Sequence, residues 1–143
     1  MNRFAVIVAR FNSEITEKLL AGSVQAFGAE GVPHDLLEVI HVPGAFELPL
    51  VAKTMALSGQ YAAIVCLGAV IRGDTDHYDY VCQAAMHGIL LAGLETGIPV
   101  IFGVLTCNTD EQALARCGGA EGNKGADAAR AAIEITKVMQ QIG

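Results

Sequence analysis

The stretch Gly68-Ala69-Val70-Ile71-Arg72-Gly73-Asp74-Thr75-Asp76-His77-Tyr78-Asp79-Tyr80-Val81 packs glycines, a hydroxyl, an imidazole and helix-opening residues into one turn. A helix N-terminus carries unpaired N–H groups and the positive end of the helix dipole, which suits a phosphate. Thr75 can add a hydroxyl donor, and of the four histidines only His77 sits at such a place. The plain alternative is a helix-start His making one backbone hydrogen bond. His34 in a turn, His41 at a strand end and His87 in mid-helix read as structural or solvated. Asp74 and Asp76 oppose a bare phosphate hole, because two carboxylates beside a dianion cost energy unless they point away. The backbone could still bind while both side chains face solvent. Arg116 could supply the compensating charge, since a guanidinium fork matches phosphate oxygens. A surface Arg near a helix C-terminus is its simpler reading.

Two further residues invite a chemical reading. Phe11 follows an apolar run, in a turn with no other need of an aromatic. It is either a stacking platform for a flat ligand or a hydrophobic staple on the helix that follows. Glu47, after Pro43-Gly44-Ala45-Phe46, opens a helix whose dipole stabilises a carboxylate there. It could equally accept hydrogen bonds from ligand hydroxyls. The chain has no G-x-G-x-x-G after its first strand, no G-x-x-x-x-G-K-[ST] and no G-x-S-x-G. A phosphoryl-accepting receiver would need an acidic cluster where this chain has Ala9-Arg10-Phe11.

The elements that must position these residues alternate regularly. Phe4 to Ala9 is a continuous apolar run, as a strand buried on both faces requires. Asn12 or Ser13 can cap a first helix with Glu14 and Glu17 in its opening turn, ending at Gly28 or Gly31. Leu36 to Val42 is a second strand, and Phe46 to Ser58 a helix with Pro49 tolerated in its first turn. Ala62 to Gly68 is a third strand, followed by a polar loop from Arg72 to His77 and a helix from Asp79 to Glu95 that stops at Gly97. Pro99 to Leu105 is a fourth strand. Thr109-x-x-Gln112 matches a capping box and opens a short helix through Arg116. Gly118-Gly119 and Gly122 interrupt the chain before a last helix from Lys124 to Gln141.

Strands alternating with helices imply an α/β domain: a parallel sheet with right-handed crossovers and helices on both faces. The expected architecture is a three-layer flavodoxin-like fold with four strands in the order 2-1-3-4, forming one domain over residues 1–143. In such sheets ligands bind outside the carboxyl ends of the strands. Those ends are Phe11-Asn12, Gly44 to Glu47, Val70 to His77 and Thr106 to Arg116.

Composition bounds the rest. Of 143 residues, 52% are hydrophobic and 17% charged, which suits a packed core and not a disordered chain. Nine basic against 15 acidic residues give a net charge of −6, with no basic patch for nucleic acid. No apolar run has the length of a membrane span, and Met1-Asn2-Arg3-Phe4 lacks a secretory pattern, so a cytoplasmic location is expected. Cys66, Cys82, Cys107 and Cys117 show neither C-x-x-C nor zinc spacing and are expected as free thiols, with Cys66 buried in a strand. The 16 glycines, the many alanines and the lack of Trp allow close backbone approach within or between chains, a hint of oligomerisation.

At these loops the sequence resembles the lumazine synthase family. The matching segments are Ala9-Arg10-Phe11-Asn12, Val42 to Pro49, Gly68 to Val81, Thr109-x-x-Gln112-Ala113-x-x-Arg116 and Gly122-Asn123-Lys124-Gly125. The resemblance spans almost the whole chain, with five motifs in order. It implies condensation of 5-amino-6-(D-ribitylamino)uracil with 3,4-dihydroxy-2-butanone 4-phosphate to give 6,7-dimethyl-8-ribityllumazine, phosphate and water. That is the penultimate step of riboflavin biosynthesis, and it needs no redox cofactor or metal. By the same resemblance His77 is the general acid/base, a role that suits a near-neutral pKa, and Asp127 supports it. Phe11 stacks on the pyrimidine, Ala45, Phe46 and Glu47 hold the ribityl chain, and Ala69, Val70 and Ile71 meet the pyrimidine through backbone groups. Asp74 and Thr75 form the phosphate loop with Arg116 as its cationic clamp. Phe102 and Lys124 are further site residues, with Phe102 and Arg116 delivered by a neighbouring subunit. The implied partners are the two small substrates, a homopentamer that can assemble further into an icosahedral shell, and a riboflavin synthase.

The chain departs from the family pattern at three places. It begins three residues before the first strand, whereas many relatives carry a longer arm, which argues against assembly beyond a pentamer. Cys117 to Gly122 shows no insertion, and short versions go with shells. Thr106-Cys107-Asn108-Thr109 stands where Thr-Thr-Glu or Thr-Thr-Asp is usual, a change expected to be tolerated. Two other readings compete with the enzyme. One is a non-catalytic flavin- or lumazine-binding shell protein, which would have no need of His77. The other is a generic flavodoxin-like phosphate binder.

Overall fold

The computed structural model describes residues 2–143; Met1, part of the opening segment read above for a signal, lies outside the described residues. The apolar run at the start forms β1 (Phe4–Ala9), with all six residues buried, as only a central strand covered on both faces would have. It is flanked by β2 (Leu37–Val42) and β3 (Ala63–Ile71), and β3 by β4 (Val100–Cys107), all parallel in the expected order β2-β1-β3-β4.

Alternate side chains of β1 feed two cores. Phe4, Val6 and Val8 pack with α1 (Ser13–Ala29) and the last helix, α5 (Lys124–Ile142). Ala5, Ile7 and Ala9 pack with α2 (Leu48–Leu57) and α3 (His77–Thr96) on the other face. The Ala- and Gly-rich composition is largely spent inside the chain. Gly125, Ala128, Ala129 and Ala132 are buried along α5, and a Cβ on Gly125 would run into the Leu19 carbonyl of α1. No helix among the described residues is long and apolar enough to cross a membrane.

The strand ends are staggered, and the stagger makes the site. β1 pairs with β3 only from Phe4↔Ala63 to Val8↔Leu67, whereas β3 continues beside β4 as far as Ile71↔Cys107. The third strand therefore does not stop at Gly68, nor the fourth at Leu105: each shelters the other's backbone for two or three residues more. Ala69, Val70 and Ile71 consequently lie on a strand. α3 begins at His77 and not at Asp79, so His77 is itself its first residue. The second helix starts as a single 3₁₀ turn, Ala45–Glu47, before α2 with Pro49 near its start. The second strand begins at Leu37, Leu36 closing a 3₁₀ turn from His34.

The capping motif forms as expected at α4 (Asp110–Ala115), where Gln112 N–H donates to Thr109 Oγ1 at 3.2 Å. The reciprocal bond goes one residue further back, from Asn108 N–H to Gln112 Oε1 at 2.8 Å. Arg116 is the residue after α4. The glycines read as interruptions make a small antiparallel hairpin, β5 (Cys117–Gly119) with β6 (Gly122–Asn123), and its Gly118 and Gly122 have φ of 114° and 80°, which side chains resist.

Candidate active site

A cavity of about 620 Å³ opens above the short end of β1. Phe11 comes from the β1–α1 turn, and Pro43 to Glu47 from the turn after β2. Ala69, Val70 and Ile71 come from the overhang of β3, and Gly73, Thr75, His77, Tyr78 and Val81 from the loop and first turn of α3. This is the carboxyl edge of a parallel sheet, where ligands of such folds bind.

Phe11 is 70% exposed, too open for the buried contact that a staple on α1 would make. Phe46 is likewise exposed, on the neighbouring turn. Its neighbour Glu47, half-buried, caps α2, and its carboxylate lies against the extended backbone of Gly44. At the β3 overhang the ladder alternates: Arg72 N–H donates to Cys107 O, and the Ala69 carbonyl faces the other way. Two residues on, the N–H and C=O of Ile71 share Ala69's side, past the end of β1 and with no strand to pair them. A planar ligand with donors and acceptors on its edge fits that row.

The loop after β3 is held at several points. His77 N–H donates to Thr75 Oγ1 at 3.3 Å, so the hydroxyl that was expected at a phosphate also fastens the turn bearing the imidazole. Arg72 lies over the Tyr78 ring at 4.3 Å, donates from Nε to Asn108 Oδ1 at 2.9 Å and sits 3.7 Å from Asp79. Burial, followed by the neighbouring Cys82, pushes the Tyr78 phenol up. Sequence reasoning gave Tyr78 and Arg72 no role. Their partners lie on another element, and no spacing rule along the chain connects residue 72 to residue 108. Asn108, the departure from the usual acidic residue, serves as a neutral acceptor for this guanidinium.

The remaining candidates gather elsewhere. A second cavity, of about 410 Å³, is lined by Phe102, Val104, Leu105, Thr106 and Cys107 of β4, by Arg116 and Glu121, and by Lys124 and Asp127 of α5. No residue lines both cavities. Within one chain, therefore, Arg116 does not meet the Thr75 loop and Asp127 does not meet His77. Asp127 instead accepts from Arg130 at 2.8 Å, and Arg116 Nη1 donates to the Gln112 carbonyl at 2.9 Å. Asp74 is exposed and lines neither cavity.

Fold and site together define a flavodoxin-like α/β domain with an aromatic- and imidazole-bearing cavity at the carboxyl edge and a separate one lined by Arg116 and Lys124 together with Glu121 and Asp127. The profile of the 6,7-dimethyl-8-ribityllumazine synthase family matches residues 1–140. The chain is 52% identical over 140 residues to the 6,7-dimethyl-8-ribityllumazine synthases of two Coxiella burnetii strains, CbuG_Q212 and RSA 493 / Nine Mile phase I, covering 98% of this chain and 93% of theirs. It is equally 52% identical, over 139 residues, to the enzyme of that name from Desulfatibacillum aliphaticivorans, covering 97% and 90%. The chain belongs to the 6,7-dimethyl-8-ribityllumazine synthase family, transferases of riboflavin biosynthesis.

Proposed function

We propose that the protein condenses 5-amino-6-(D-ribitylamino)uracil with 3,4-dihydroxy-2-butanone 4-phosphate, and that each site is shared between two copies of the chain. The observation that carries this reading is the division of the candidate residues between two cavities. Phe11, Glu47, Thr75 and His77 line one, and Phe102, Arg116, Lys124 and Asp127 the other. Joined edge to edge, they supply an aromatic face, hydroxyl acceptors, a proton carrier and a phosphate clamp.

The pyrimidine stacks on Phe11 with its edge along Ala69, Val70 and Ile71, and its ribityl chain lies by Ala45, Phe46 and Glu47. The phosphate sits at the turn of Asp74 and Thr75, with Arg116 of the neighbour closing on it. The 5-amino group attacks the ketone, and loss of water gives an imine. Loss of the proton on C3 of the butanone lets phosphate leave from C4, and the enol so formed tautomerises to a carbonyl at C3 with C4 as a methyl group. Attack of the ribityl-bearing nitrogen on that new carbonyl closes the ring with loss of another water. His77 carries protons to and from these oxygens, held by the Thr75 turn, with the neighbour's Asp127 orienting it. Fixing two reactants side by side supplies much of the acceleration.

Support for assembly comes from the α2–α3 face. Leu50 and Leu57 of α2 and Met86, Leu90, Leu91 and Leu94 of α3 are exposed, Leu50 and Leu94 by more than 70%. So many large exposed apolar side chains on two helices packed together support an interface there, and a closed homopentamer is the assembly that the resemblance implies. Further growth into a shell and association with a riboflavin synthase follow from the resemblance alone. The four free cysteines favour the cytoplasm.

Appearance of lumazine absorbance from the two substrates, beside an enzyme-free blank, tests the reading. A rate well above the blank is expected. A rate equal to the blank from folded, assembled protein would sink the enzyme and leave a binding or shell role.

A further inference from the structure

Phe11 poses a mechanical problem. An aromatic ring that is 70% exposed has little packing to hold its orientation, so its aim depends on its backbone. That backbone is unusually constrained. Asn12 is the sole described non-glycine residue with positive φ, at φ 62° and ψ 46°. The left-handed region costs an L-residue about 1–2 kcal/mol, least for Asn and Asp. Its side chain does not cap α1 in the usual way; the Asn12 carbonyl accepts from Ile15 and Thr16 N–H instead. The side-chain amide is committed elsewhere: Nδ2 donates to the Ala69 carbonyl at 2.8 Å, half-buried and 57 residues away. On the other side Arg10 N–H donates to Val42 O at 2.8 Å and Phe11 N–H to Pro43 O at 3.0 Å. The turn is thus a bridge thrown from the end of β2 to the overhang of β3, with the Phe11 ring at its middle.

We infer that Asn12 is a positioning residue for the pyrimidine site: its left-handed backbone and its bond to Ala69 set the plane of the Phe11 ring against the β3 edge. The inference rests on the proposed role of Phe11 as the pyrimidine platform. It has a second consequence. Asn12 takes one lone pair of the Ala69 carbonyl, so along this edge the N–H and C=O of Ile71 are the groups left wholly open to the ring. Platform and edge are then tied to each other by one side chain, and the distance between them is fixed before any ligand arrives.

Asn12→Gly separates the two functions of the residue, since glycine keeps the positive φ at no cost but has no amide. Asn12→Asp keeps the shape and the tolerance for positive φ while setting carboxylate oxygens against the Ala69 carbonyl. The probe is 6,7-dimethyl-8-ribityllumazine itself, titrated optically into wild type, both variants, Phe11→Ala and the Phe11→Ala/Asn12→Gly double variant. Loss of one such bond is expected to weaken lumazine binding by about five- to tenfold in each Asn12 variant. KM for the pyrimidine substrate rises in parallel, and KM for the butanone phosphate moves less than about twofold on the same scale. In the Phe11→Ala background, Asn12→Gly is expected to have no further effect on binding. A merely structural Asn12 would lower the melting temperature and leave the affinity of the folded protein unchanged, which overturns the inference. So does an Asn12→Gly effect that survives at full size without the ring. Should Asn12→Gly not fold, the Asn12→Asp titration decides alone. Wild type that neither binds the lumazine nor forms it defeats the proposed function itself, and the inference falls with it; binding by wild type with unchanged variants defeats the inference only.

Discussion

In the proposed reaction His77 carries the heaviest chemical load of any single residue, and its setting fits that load. It is the first residue of α3, exposed to the cavity, and its own N–H is fastened to Thr75. Removing the imidazole leaves the Phe11 platform and the β3 edge in place. His77→Ala is therefore expected to lower the maximal rate by at least about tenfold, with the affinity for the pyrimidine nearly unchanged; an unchanged rate would remove His77 from the mechanism. Arg116→Ala is expected to raise KM for the butanone phosphate several times more than KM for the pyrimidine, because a guanidinium contributes chiefly to the anion. Separate saturation curves for the two substrates check this, and equal effects would sink the clamp. Alkaline pH tests a different residue. Burial pushes the Cys66 thiol from 9.0 up to about 12. The folded state thus holds the proton more tightly than the unfolded chain does. Its contribution is complete below pH 9 and is lost as the pH climbs from 9 towards 12. Urea midpoints measured at pH 8 and pH 10 are expected to fall more for wild type than for Cys66→Ala, and equal falls would show that this thiol does not govern the loss.

The elements show why the strands and their parallel pairing were legible, while their order came by analogy with flavodoxin-like sheets and the site could be read only in part. Hydrophobic runs such as Phe4–Ala9 and Ala63–Ile71 announce buried parallel strands, and the crossover rule then leaves few arrangements. What sequence patterns could not give was the stagger. Ala69, Val70 and Ile71 count as strand only because β4 runs beside them, and that is a fact of pairing between distant segments. Asn12 was readable as a helix cap, yet its amide reaches Ala69 instead, a contact that no local motif encodes. Likewise the Gly-rich stretch before α5 read as a break, although it forms a hairpin. The many small residues allow close approach within or between chains, and those buried along α5 serve the first, at the crossing with α1. That crossing has its own test. A methyl at position 125 has the Leu19 carbonyl in its way, so the helices must separate. Gly125→Ala is expected to cost about 1–3 kcal/mol, in the manner of other overpacked sites, read from urea denaturation. Full stability would mean that α1 and α5 can slide apart freely. The same move would shift Lys124 and Asp127, which stand in the first turn of α5.

At the scale of the whole molecule the two cavities become one argument. In the proposed assembly the exposed apolar side chains of α2 and α3 give the chain a reason to associate, and the separation of His77 from Arg116 gives it a functional one. If each site joins the Phe11 cavity of one copy to the Arg116 cavity of the next, two different defects can complement each other. An assembly of His77→Ala subunits has intact clamps and no proton carrier; one of Arg116→Ala subunits has the reverse. Mixed by co-expression in equal amounts, they place an intact His77 beside an intact Arg116 at about one interface in four of a closed ring. With the butanone phosphate held well below its KM, where the Arg116→Ala parent is also weak, activity from the mixed protein is therefore expected to recover to about a quarter of wild type, above either parent alone. Sites built within single chains would give only the average of the two defective parents, because no subunit in the mixture carries both residues. Recovery also requires that subunits of the two kinds share a ring, which a difference in affinity tag makes measurable in the same sample. A mixture shown to share rings and still no faster than its parents would refute the shared site, and with it the link between the apolar face and the chemistry.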